Sequence, residues 1–82
     1  MVSTTSSPVQ SQVPDWKFVE TWIDPTSEIP YVLLLIADEA GEYKVYDPKE
    51  GYAVIFSSSS YDDAKNFLME DEYEQVKGRY QD

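Results

Sequence analysis

The sequence predicts an α+β fold: a small antiparallel β-meander of three to five strands with one C-terminal helix packed on one face. Three observations predict it. Tyr31-Val32-Leu33-Leu34-Leu35-Ile36 is apolar at every position. Two further β-rich segments follow at hairpin distance, set off by Asp38-Glu39-Ala40-Gly41 and by Asp47-Pro48-Lys49-Glu50-Gly51. Beyond them, Tyr61, Ala64, Phe67 and Leu68 recur at helical spacing directly after Ser60.

The first strand is read at residues 16 to 23, where aromatic and β-branched side chains crowd together. Trp16, Phe18 and Glu20 share one parity; Lys17, Val19, Thr21 and Ile23 share the other. Asp24-Pro25-Thr26-Ser27 forms a turn, because Pro fixes φ and Asp can bond the backbone that follows it. The apolar run after Pro30 shows no alternation, which predicts a strand at the centre of the sheet covered on both faces. Gly41 is free to take positive φ in the hairpin that follows.

Glu42-Tyr43-Lys44-Val45-Tyr46 alternates, with Tyr43 and Val45 pointing one way, as in a half-buried strand. The next connection places Pro48 at a turn's second position and Gly51 at a left-handed one. Tyr52-Ala53-Val54-Ile55-Phe56 is the third strand of the meander, with Tyr52, Val54 and Phe56 expected on one face. Strands at 31–37, 42–46 and 52–57 complete the ribbon.

Four serines, Ser57 to Ser60, precede the helix. They suggest a phosphorylation patch, but the simpler reading is a cap: Ser60 at the N-cap with Asp63 three residues on. Asp62 and Asp63 suit the positive end of the helix dipole, and Glu70-Asp71-Glu72 opposes its negative end, so the helix should stop near Glu70. Residues 74 to 80 fit either a short strand returning to the sheet, the reading preferred here, or a second helical turn ended by Gly78. Residues 1–13 are uncharged and poor in large apolar groups, so they are expected to be a disordered tail before a single α+β domain at 14–82.

Charge and composition narrow the function. The chain has 82 residues, 16 acids against 6 basic residues, a formal net charge of −10, and neither His nor Cys. Disulfides, thiolate zinc sites, catalytic cysteines and histidine triads are therefore excluded within it. Six scattered basic residues do not make a phosphate-binding stripe, so direct nucleic-acid binding is not expected. The longest apolar run is far short of the roughly 20 residues a spanning helix needs, and membrane insertion is not expected. No secretory signal is read at the N-terminus, which favours a cytoplasmic location.

Paired acids are common, but so small a chain frames a catalytic cleft poorly, and no enzymatic activity is expected. The Asp38–Glu42 loop lacks the spacing of a calcium loop. The three glycines all sit at turns, so no phosphate-cradling loop, cofactor or small-molecule ligand is expected. The informative excess is aromatic: seven Tyr, two Trp and three Phe. Some must build the core, and Tyr supplies rigid contact area at interfaces.

The reading is a small acidic, non-enzymatic protein-binding module, an adaptor or accessory subunit, that docks on a basic surface of a protein partner. The candidate contact residues are Tyr46, Tyr52, Glu70, Asp71, Glu72 and Tyr73. The alternative is an inhibitor of a nucleic-acid-binding protein, with carboxylates standing in for phosphates.

Overall fold

The computed structural model of the chain describes residues 16–81; the expected tail at 1–13 lies outside them. In chain order the elements are β1 (Trp16–Asp24), β2 (Tyr31–Asp38), β3 (Tyr43–Asp47), a 3-10 turn (Pro48–Glu50), β4 (Ala53–Ser58), α1 (Tyr61–Glu70), β5 (Glu74–Gln75) and β6 (Tyr80–Gln81). The first four strands form an antiparallel meander in the order β4-β3-β2-β1. The two short strands pair with the outer edge of β1, β5 at Trp22–Ile23 and β6 at Phe18–Val19. The fold is α+β, with its helix against β3 and β4.

Period-two alternation decides the layers. Trp22 on β1, Leu33 and Leu35 on β2, and Val45 on β3 point to the helix side and are buried with Ala64 and Leu68 of α1. Around this small centre pack Phe18, Tyr31, Tyr43, Phe56, Tyr61, Phe67 and Tyr73. Phe56 and Phe67 stack with ring centroids 4.5 Å apart, fixing the helix over β4.

Two buried aspartates shape the connections. The Asp38 carboxylate accepts the Ala40 and Glu42 N–H groups at 2.9 and 3.0 Å, while Gly41 takes φ +88°. Asp47 accepts the Lys49 N–H at 3.1 Å and caps the 3-10 turn, which closes on Gly51 at φ +69°. At α1 the Ser60 Oγ accepts the Asp63 N–H at 3.3 Å, so the serine serves as the expected N-cap. The helix stops in a Schellman arrangement: Tyr73 N–H donates to the Leu68 carbonyl and Glu72 N–H to that of Met69. Glu72 occupies the left-handed position of that motif at φ +64°, and the two bonds give the stop a geometric cause beyond the like charge read from the sequence.

Three expectations need correction or refinement. β2 is central, but the helix covers only one of its faces; Val32, Leu34 and Ile36 lie on the other, where Val32 is 38% exposed. Apolarity at every position marked a strand, and coverage depended on how many helices the chain supplies. Second, Tyr52, Val54 and Phe56 do not share a face. A bulge shifts the β3–β4 register, so Phe56 pairs with Val45 on the core side while Val54 pairs with Tyr46 on the reverse. Tyr52 precedes the strand at φ +63°. Third, the returning segment at 74–80 is two strands of two residues each, separated by Gly78 at φ +87°.

Candidate interaction surface

The face of the sheet away from the helix can be read from the register. One row across it is Val19, Ile36, Lys44 and Ser57; the next is Thr21, Leu34, Tyr46 and Val54; the last is Ile23 and Val32. No described element packs over these rows. Val54 is 49% exposed and the neighbouring bulge residue Ile55 42%. Lys44 is the single charged residue within the rows. Glu74, paired with Ile23, and Glu42, which accepts a hydrogen bond from Ser57 Oγ at 3.0 Å, stand at the margins. A shallow groove lined by Val19, Thr21 and Val76 continues the surface to the β5 side, and another at Ile29, Val32 and Lys49 continues it at the opposite end of β2. The result is an aliphatic field with one tyrosine and one lysine in it and charges of both signs at its border, Glu42 and Glu74 against Lys49, Lys77 and Arg79.

The residues proposed from sequence fall in three places. Tyr46 stands on this open face, half-buried among its neighbours. Tyr52 projects from the turn before β4. Glu70, Asp71 and Glu72 sit exposed at the C-terminal end of α1, and Tyr73 beside them is half-buried against Leu68 and the core. Tyr46 therefore does not share a surface with the helix-end acids, which belong to the other side of the sheet.

That helix end is nonetheless an electrostatic site. Tyr31 donates its hydroxyl to both oxygens of Asp47, at 2.8 and 3.0 Å. This bond, with burial and the charges of Asp47 and Glu50, pushes the Tyr31 hydroxyl up to about 12. Tyr73 is pushed up by burial and then by the charges of Asp24, Asp47 and Asp71. The Lys49 ammonium lies 5.3 Å from the centre of the Tyr31 ring. Asp24 goes the opposite way, held below the usual carboxylate range by hydrogen bonds from Thr26.

Sequence reasoning missed one constellation. Glu20 is fully buried on the helix side of β1. Its carboxylate accepts Trp22 Nε1–H at 3.1 Å, Tyr61 O–H at 2.8 Å and an Arg79 Nη2–H in an ion pair. Arg79 also lies over the Phe18 ring, 3.9 Å from its centroid. Burial lowers the Arg79 pKa, but the hydrogen bond and charge of Glu20 outweigh it and the net direction is up. Tyr61 is raised, by burial first and by Glu20 second. The available signal was parity: Glu20 shares its side of β1 with Phe18 and Trp22, and a carboxylate turned inward requires a donor. Among the described residues no buried side-chain polar atom lacks a partner, so this acid acts as a clasp. It ties the C-terminal segment to the edge of β1.

Among the described residues no group of three or more acids is arranged to hold a metal ion, and no helix is long and apolar enough to cross a membrane. No protein-family description, curated protein or solved structure matches this chain.

Proposed function

We propose that this chain is a non-enzymatic protein-binding module, an adaptor or accessory subunit, whose recognition surface is the open face of its sheet. The observation that carries this reading is the uncovered row Thr21, Leu34, Tyr46 and Val54, with Ile36 and Val32 beside it. A contiguous aliphatic field of this kind is characteristic of an interaction site. Tyr46 supplies a rigid amphipathic anchor near its middle. The net charge of −10 favours a partner with Lys and Arg around an apolar patch. Charge sets the encounter rate and apolar burial sets the residence time.

The test is affinity capture from the native host by the tagged full chain, washed at low and high salt, beside a Leu34→Asp variant and an Asn66→Ala control on the exposed side of the helix. The expected result is one partner held by the parent chain and the control, weakened by salt and lost with Leu34→Asp while the variant keeps its fold by circular dichroism. Capture indifferent to Leu34→Asp contradicts the reading. Displacement of the captured partner by duplex DNA would favour phosphate mimicry instead.

A further inference from the structure

The two edges of the sheet are finished differently. The outer edge of β1 is occupied by the chain itself, through β5, β6 and a 2.8 Å bond from the Val76 N–H to the Thr21 carbonyl. The outer edge of β4 pairs with no described strand. An edge strand turns every second N–H and C=O outward, and proteins usually guard such edges with Lys, Pro or inward-pointing charges. From Gly51 to Tyr61 there is no charged residue and no proline. The bulge at Val54–Ile55 is the one guarding device present along β4.

Carboxylates flank this neutral strip. On the helix side Ser58 Oγ donates to Asp63 Oδ2 at 3.3 Å, which places Asp63 above the end of β4. Glu70 shares that side of α1 through the i, i+4, i+7 succession Asp63, Phe67, Glu70, and Phe67 rests on Phe56 of β4. On the open side Glu42, the residue before β3, accepts a hydrogen bond from Ser57 Oγ. A second copy joined edge to edge would bring Asp63 and Glu70 against their own equivalents. A basic strand would meet them as counter-ions.

We infer that the outer edge of β4 accepts an extended segment of a partner protein by strand addition, with Lys or Arg at the positions facing the helix and apolar residues at the alternate positions facing the open side. This rests on the protein-binding reading above and adds its mode of docking. Main-chain hydrogen bonds hold the added strand, and alternation supplies selectivity. The segment needs about six residues, roughly 20 Å, to span β4. Its apolar side chains continue the aliphatic field past Val54 and Ile55.

The experiment titrates the 15N-labelled full chain with two synthetic peptides of one composition, Lys-Val-Lys-Val-Lys-Val-Lys and Lys-Lys-Lys-Lys-Val-Val-Val. The alternating peptide is expected to bind about tenfold tighter or better, to shift the amides of Ala53 to Ser58, and to slow their hydrogen exchange. Its affinity should fall several-fold in Asp63→Asn/Glu70→Gln. Equal binding of the two peptides, or shifts confined to other elements, overturns the inference. If the amides of Leu34 and Tyr46 respond and those of β4 do not, strand addition is wrong while the binding-module reading stands. If neither surface responds, strand addition fails here and affinity capture decides the module reading on its own.

Discussion

On the helix side of the sheet Leu33, Leu35 and Val45 are at most 4% exposed, whereas on the reverse Val32 and Val54 are 38% and 49% exposed, although the same strands supply both sets. The aliphatic character of the two faces is similar, and their energetic roles are not. One α-helix of ten residues is enough to dry one face. The other keeps Val32 and Val54 exposed, with no described element packed over them. This teaches that an unbroken apolar strand signals two apolar faces and leaves open what will cover the second.

The largest test of that contrast is a pair of truncations at neighbouring positions. Leu35→Ala, on the dry side, should cost about 2–5 kcal/mol in urea unfolding, because it removes contacts and leaves a cavity. Leu34→Ala, one residue away on the open side and only partly buried, should cost less, about 1–2 kcal/mol, since no described element closes over it and the truncation leaves no sealed cavity. Similar losses would mean that both faces are covered.

The clasp is the next largest. Arg79→Ala strands the fully buried Glu20 carboxylate, a class of change that costs about 3–5 kcal/mol when the lost partner is itself buried. The Arg79 side chain is 35% exposed, so solvent screening reduces the expected loss to about 2–3 kcal/mol. Hydrogen exchange at Val76 and along β6 should rise with it, and Glu20→Gln in the same background should recover part of the loss. Unchanged exchange there would mean that the clasp does not hold the C-terminal segment.

A smaller effect of opposite sign is expected at the helix stop. Glu72 holds φ +64° among neighbouring acids, and Glu72→Gly should stabilise the fold by about 0.5–1 kcal/mol, read as a higher melting temperature. The last effect is one of pH. Tyr31 ionises near 12 in the folded chain against about 10 when unfolded. Its contribution is therefore complete below about pH 10 and lost as pH rises toward 12. Tyr31→Phe should flatten this part of the alkaline stability profile, followed by circular dichroism against pH.

The meander was legible because its signals are local. Turn residues at Asp38–Gly41 and Asp47–Gly51, alternation at Tyr43–Tyr46 and the cap at Ser60 each act within a few residues, and the structure follows them. What escaped the sequence involves distant partners or register. Glu20 meets Arg79 across 59 positions, and no periodicity announces that pair. The bulge at Val54–Ile55 exchanged the expected face of Val54, because one extra residue reverses every side chain beyond it. On the open face, the alternation of β3 places Tyr46 opposite Val45, whereas Leu34, Ile36 and Val32 read from the sequence as interior, since a run without alternation gives no reason to leave one side bare.

Among the described residues nothing packs over the aliphatic face of the sheet, so in the free chain its methyl groups should meet solvent. Methyl-resolved NMR of the full chain with a soluble paramagnetic probe addresses it directly. Strong broadening is expected at the Val19, Ile23, Leu34, Ile36 and Val54 methyls, with Leu33, Leu35, Val45 and Leu68 protected. Equal protection of both sets would contradict it, because the face would then be occupied before any partner is met.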